Sequence, residues 1–196
     1  MGANTPDLVY SHKIQNDDIN APIIYRCARV HPKIPYVESY SPKVHTLLDM
    51  FNFSVNHYGY RNCIGHRPVQ KDGSLEKKFV WKTYKQIELE TTLLAKSIKK
   101  LDLINSCEDE KGKINVVGIY SRNREEWICT EIALWKNRSA SVAFYDSLSK
   151  ESLIYIINQV KMKSIFLEKK CFDQIVSIKN SIPSLQNIIF FDLSSE

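Results

Sequence analysis

Few residue groupings in this chain could do chemistry, and the most suggestive is a short one. Asp146 stands between Tyr145 and Ser147, directly after the apolar run Ser141-Val142-Ala143-Phe144. If that run is a strand of an open α/β sheet, the three residues lie at its carboxyl end, where such folds place groups that touch ligands. The same position suits a carboxylate that caps the next turn, so ligand contact and capping both stand as roles for Asp146. Elsewhere the spacings exclude familiar sites. His12, His31, His45, His57 and His66 show neither H-x-x-x-H nor H-E-x-x-H spacing. The six glycines form no G-x-G-x-x-G, no G-x-x-x-x-G-K-[ST] and no G-x-S-x-G. Cys27, Cys63, Cys107, Cys129 and Cys171 are far apart, with no C-x-x-C pair, which reads as reduced thiols and signals no metal site. Trp127 and Trp135 lie eight residues apart and read as core packing.

Composition narrows the class further. The 196 residues are 43% hydrophobic and 25% charged, a globular balance. No apolar run approaches the ~18 residues a membrane-spanning helix needs. The start, Met1-Gly2-Ala3-Asn4-Thr5-Pro6, has neither a secretory layout nor a myristoylation pattern. A net charge of +5, spread in isolated pairs such as Lys77-Lys78, argues against nucleic acid as a partner. It suits an anionic small ligand or a membrane surface without selecting either. A cytoplasmic protein, with room for peripheral contact with intracellular membranes, is the expectation.

The elements that must position the candidate loop follow from periodicity. Residues 1–42 carry five prolines and read as an extended arm anchored by Ile23-Ile24-Tyr25. Residues 43–104 read as a helix, a strand pair and a long helix. Thr46 with Asp49 caps the first helix, which Gly59 stops. Cys63–His66 and Phe79–Trp81 form an antiparallel strand pair within residues 60–82, and Thr83 with Gln86 makes a capping box. Residues 105–113, with the acidic run Glu108-Asp109-Glu110, read as a surface loop. Residues 114–196 alternate strand and helix, with near-continuous apolar strands expected at 116–120, 141–145, 164–167 and 187–191. Asn123 with Glu126 and then Ser149 are expected to cap the intervening helices. The class is α/β, a parallel sheet with flanking helices.

The segment Val117-Gly118-Ile119-Tyr120-Ser121-Arg122-Asn123-Arg124-Glu125-Glu126-Trp127 resembles long-chain acyl-CoA synthetases, the AMP-forming fatty acid–CoA ligases of the adenylate-forming superfamily. There, a strand ending in Gly-Ile-Tyr-Ser runs into Asn-Arg-x-Glu-Trp at a helix start. Phe144-Tyr145-Asp146-Ser147-Leu148-Ser149 is similar to that family's Tyr-Asp-Thr-Leu-Gly segment. Tyr58 to Pro68 and Trp81-Lys82-Thr83-Tyr84 resemble two upstream blocks. The blocks keep the family's order over roughly residues 36–192, with an apparent insertion at Asn105–Lys111. Ser147 and Ser149 depart from the usual Thr and Gly.

The resemblance implies part of the large N-terminal domain of a ligase. That enzyme would use ATP, Mg²⁺ and CoA to activate a fatty acid through an acyl-adenylate and pass it to CoA. It also implies that the phosphate loop, adenine segment, acyl tunnel and catalytic lysine belong to further ligase sequence, the remainder of the chain being this segment's partner. Glu196 then reads as a truncation point. No catalytic or metal-binding residue, no tightly held cofactor and no activity of this segment alone are expected. Tyr145, Asp146 and Ser147 correspond to a loop near the CoA nucleotide. A sheet cut off at Glu196 is further expected to expose an apolar face around Trp127, Trp135 and Phe190–Phe191. Two other readings remain open: a segment of a sister adenylate-forming enzyme acting on another carboxylate, and a non-catalytic α/β binding module.

Overall fold

The computed structural model describes residues 10–14, 22–28, 41–70, 72–109 and 112–192, in two units, residues 1–42 and 43–196. In the first unit, Ser11–Ile14 (β1) and Ile24–Cys27 (β2) pair antiparallel, Ser11 opposite Cys27. The expected extended arm therefore contains a strand pair where it is described. Pro6, Pro32 and Pro35 lie outside the described residues. Ile23 and Tyr25, expected as anchors, are exposed, because a two-stranded ribbon has no second layer to cover a face.

The second unit begins with α1 (Leu47–Tyr58), whose N-terminus Thr46 and Asp49 close as a reciprocal capping box. Gly59 ends the helix but stays right-handed (φ −46°), and its carbonyl accepts the Lys85 N–H at 2.9 Å. Then follow the antiparallel pair β3 (Asn62–His66) and β4 (Val80–Thr83), and α2 (Tyr84–Lys100), opened by the Thr83–Gln86 capping box. The main sheet is built from β5 (Asn105–Asp109), β6 (Gly112–Tyr120), β7 (Ala140–Phe144), β8 (Ser164–Leu167) and β9 (Asn187–Phe190). Between them lie α3 (Glu125–Lys136), α4 (Lys150–Gln159) and α5 (Phe172–Ser177).

β6 is the hub. It pairs parallel with β7 on Val116–Tyr120 and with β8 on Gly118–Tyr120, and β9 extends the sheet beyond β8. The four strands expected to run parallel do so. The segment expected as a loop at 105–113 does not stay one. Asn105–Asp109 pairs antiparallel with Gly112–Val116, so the sheet is mixed. Backbone hydrogen bonds carry this pairing, while Ser106, Glu108 and Lys113 face solvent, so no apolar alternation announced it.

Both faces of the sheet are covered. Tyr120, Ile165 and Leu167 pack with Leu153, Ile157 and Ile175 of α4 and α5. Val117, Ile119 and Phe166 point the other way, against Ala95 and Ile98 of α2 and Ala133 and Leu134 of α3. Gly118 lets this happen, since a Cβ there would sit 2.5 Å from Met162 Sδ. Phe51, Val55, Ile87, Cys129 and Ile132 form a third cluster joining α1, α2 and α3.

The expected exposed face around the tryptophans is not found. Trp127 packs on the α2–α3 side of the sheet, Trp135 on the α1–α2–α3 cluster and Phe191 on Phe166, leaving only Phe190 of that set exposed, at 41%. The helix ends also hold a surprise. Asp102, Arg138 and Lys161 take left-handed conformations after α2, α3 and α4 (φ 51°, 52° and 47°). Each helix closes with the next N–H bonded back to its last turn, as in Met162 N–H to the Ile157 carbonyl at 2.9 Å.

Candidate functional site

The parallel strands are ordered β7-β6-β8-β9, so the crossover from β6 runs to one side of the sheet and the crossover from β8 to the other. The strand order reverses between β6 and β8, and the carboxyl ends there are where open α/β sheets bind ligands. Three loops meet at this edge: Ser121–Arg124 after β6, Tyr145–Leu148 after β7, and Glu168–Lys170 after β8.

Tyr145, Asp146 and Ser147 lie at this edge and are exposed, Tyr145 at 70%. Asp146 does not cap α4. Ser149 does, its hydroxyl accepting the Ser152 N–H at 3.2 Å. The Asp146 carboxylate instead faces Lys170 Nζ at 3.4 Å, and Lys170 also reaches Glu168 at 3.6 Å. Glu168 in turn meets the Arg122 guanidinium at 3.5 Å. The loop is held from below: Tyr120 Oη donates to Gln174 Oε1 at 2.6 Å, and the Gln174 amide donates to the Leu148 carbonyl at 3.0 Å. Spacing gave no sign of Arg122, Glu168, Lys170 or Gln174. The available signal was position alone, since Arg122 and Glu168 follow strand ends.

A tighter group sits beside it. Arg124, not Asn123, is the N-cap residue of α3, and no side chain caps that helix. Two acids in the first turn, Glu125 and Glu126, complement the helix dipole instead. Arg124 binds Glu126 through two hydrogen bonds (2.8 and 3.0 Å) and Asp192, just past β9, at 2.8 Å. Its hydrogen bonds to Glu126, stronger than the burial that opposes them, raise the Arg124 pKa, with Asp192 adding to the effect. Glu126 is held below its usual range chiefly by Arg124. Asp192 is lowered too: burial works against it, but the Lys169 N–H and Arg124 outweigh that.

Glu125 faces the other way. Its carboxylate meets the Lys82 ammonium and His66 Nδ1 (3.0 Å), and Lys82 also holds Glu90 at 2.8 Å. Glu90, Glu125 and Cys129 bring donor atoms within 4.8 Å of one another. A metal fits poorly there, because Lys82 already stands between the carboxylates. Burial, reinforced by the charges of Glu125 and Glu90, also pushes the Cys129 thiol up to about 12, so it stays protonated and a weak ligand.

The donor sets can be tested against the groups the resemblance implies. ATP and Mg²⁺ find no match: the two left-handed glycines, Gly73 and Gly112, lie apart, one in the turn after β3 and the other at the first residue of β6, and no glycine-rich phosphate turn occurs among the described residues. The exposed loop Tyr145-Asp146-Ser147 does offer an aromatic ring, a carboxylate and a hydroxyl, with two partly exposed cations near it. Such a set can meet part of a nucleotide. No helix among the described residues is long and apolar enough to cross a membrane.

Comparison with known proteins agrees with the fold. A family model described as AMP-binding enzyme matches residues 64–195. The chain is 26% identical over 151 residues to a peroxisomal acyl-CoA ligase 891 of Penicillium brevicompactum, covering 77% of this chain and 21% of that one. It is 26% identical over 202 residues to a long-chain-fatty-acid–CoA ligase 1 of Schizosaccharomyces pombe, covering 91% and 29%. The chain thus spans between a fifth and a third of the length of these relatives. The fold is similar to the adenylation–carrier didomain of a carboxylic acid reductase from Segniliparus rugosus, solved with AMP. The TM-score is 0.64 at 14% identity, over 76% of this chain and 21% of that one.

Proposed function

Because the chain belongs to the AMP-binding enzyme family, we propose that its residues form the N-terminal part of a long-chain fatty acid–CoA ligase. That reaction would join a fatty carboxylate to the α-phosphate of ATP with release of pyrophosphate, and the CoA thiol would then attack the acyl carbonyl and expel AMP, Mg²⁺ supplying charge neutralisation at the phosphates when bound. The charge that develops at phosphate must be met by donors and cations, and the residues described here do not supply them. Their part is to build the sheet behind the site and to present one loop to CoA. The observation that carries this reading is the position of Tyr145, Asp146 and Ser147 at the carboxyl end of β7, which neighbours β6 and so lies one strand from the switch point. Tyr145 offers a ring face to the CoA nucleotide and Ser147 a hydroxyl, while Lys170 screens the charge of Asp146. The long-chain preference rests on the names of the relatives and on the Tyr145-Asp146-Ser147-Leu148 segment.

Pyrophosphate release is the test. The 196-residue chain with ATP, Mg²⁺ and a long-chain fatty acid releases none above background, whereas the chain carried through its full reading frame does so only when the acid is present. Failure of the full frame to release pyrophosphate with long-chain, short-chain or aromatic acids would favour a binding module instead. Release with aromatic acids only would favour a sister ligase.

A further inference from the structure

Gln174 is half-buried in the short helix α5, and both ends of its side-chain amide are bonded. Its backbone is fixed, because Cys171 and Ile175 on either side of it belong to the core that α4 and α5 make with the sheet. Tyr120 Oη, at the carboxyl end of β6, donates to Gln174 Oε1 at 2.6 Å. Gln174 Nε2 in turn donates to the Leu148 carbonyl at 3.0 Å. A neutral amide has one accepting and one donating end, and these two contacts use one each. Tyr120 is buried, and that burial, with smaller pushes from Cys171 and Asp146, raises its pKa. Its hydroxyl therefore keeps the proton and remains the donor. The direction of the relay is set from the core outward, from Tyr120 through Gln174 to Leu148.

What the relay holds is a closed turn. The Leu148 N–H donates to the Tyr145 carbonyl at 3.1 Å, so residues 145–148 move as a unit. Leu148 packs its side chain on the same core cluster as Tyr120 and gives its carbonyl to Gln174. Ser149, the next residue, caps α4. The Tyr145 ring is 70% exposed, so the backbone of the turn, rather than packing, sets its direction. The other tie to this turn, Lys170 to Asp146 at 3.4 Å, is an exposed ion pair and contributes little. A turn already held in its binding orientation takes a ligand more tightly than one that must be ordered on contact. We propose that Gln174 is a positioning residue for CoA, carrying the fixed place of Tyr120 to the Tyr145–Leu148 turn and so holding the Tyr145 ring where the CoA nucleotide meets it. The proposal rests on the assignment of this loop to CoA and is independent of which acid the ligase activates.

Steady-state kinetics of the chain carried through its full reading frame test it, with two variants. Gln174→Met keeps the length of the side chain and removes both polar ends, and Tyr120→Phe removes only the hydroxyl. If the released turn spends about a third of its time in the competent orientation, the KM for CoA rises about threefold in Gln174→Met. The KM for ATP should stay within about twofold, as expected when contact with one substrate is weakened. Tyr120→Phe should raise the KM for CoA by a smaller factor, and it carries the same comparison should Gln174→Met not yield folded protein. In a Tyr145→Ala background Gln174→Met should add nothing, since the ring it positions is gone. A rise in the KM for CoA with Tyr145→Ala but with neither Gln174→Met nor Tyr120→Phe would overturn the proposal and leave the assignment of the loop to CoA intact. Equal rises for CoA and ATP, a fall in kcat alone, or a Gln174→Met effect that persists beside Tyr145→Ala would also overturn it, since each marks a role in folding or at another place. No effect of Tyr145→Ala on CoA would remove the loop assignment itself, and the proposal with it.

Discussion

Two groups of charged side chains flank the start of α3, and they differ in how firmly they are tied. Arg124, Glu126 and Asp192 meet at 2.8 to 3.0 Å, with the Arg124 side chain only 24% exposed and lying over the Phe191 ring. Arg122, Glu168, Lys170 and Asp146 meet at 3.4 to 3.6 Å, with Arg122 at 67% exposure. The first group fastens the β6–α3 turn to the end of β9. The second lies along the sheet edge and can release its partners at little cost. Close pairs with two-pronged geometry contribute to stability, whereas loose exposed ones contribute almost nothing. The tight group thus reads as framework, and the loose group as the side of the molecule left free to meet a ligand.

Removing the tight group should have the largest effect. Arg124→Met leaves two partly buried carboxylates facing each other and should cost about 2–3 kcal/mol in urea unfolding. The same variant should change the acid limb. Glu126 and Asp192 have folded pKa values below their ordinary 4.5 and 3.8. The stability they confer is therefore complete above about pH 4.5 and is lost as pH falls through the lower folded values. Thermal melting across that window should fall steeply for the parent chain and less steeply for Arg124→Met.

The Lys82 group should rank next. Lys82→Met removes the cation between Glu90 and Glu125, the latter 12% exposed, and should cost about 1–2 kcal/mol by the same unfolding measurement. A divalent metal that restored this loss would show that Lys82 stands in for an ion, and would break the assignment of this cluster to framework.

The loose group should respond least. Asp146→Asn and Lys170→Met should each change unfolding free energy by less than about 0.5 kcal/mol. A cost near that of Arg124→Met would erase the distinction between the two groups.

What was legible in the sequence divides along similar lines. The caps at Thr46, Thr83 and Ser149 could be read because each bond spans three residues and needs a particular side chain. The parallel strands could be read because a strand buried on both faces is nearly continuous in apolar residues, as in the Ile165, Phe166 and Leu167 run of β8. β5 could not, since its pairing depends on backbone groups. The left-handed closures at Asp102, Arg138 and Lys161 carry no glycine to mark them. In the candidate site, Tyr145, Asp146 and Ser147 were placed by their position after an apolar run. Their surroundings were hidden, because Arg122 meets Glu168 across 46 residues and Arg124 meets Asp192 across 68. Pairs that distant leave no spacing to recognise.

The central claim is that the loop after β7 faces CoA while the framework beside it does not touch substrate. The most direct measurement is steady-state kinetics of Tyr145→Ala in the chain carried through its full reading frame. The KM for CoA should rise by about fivefold or more while that for ATP stays within about twofold, as expected when only ground-state contact with one substrate is lost. Equal changes in both constants, or no change in either, would contradict the account.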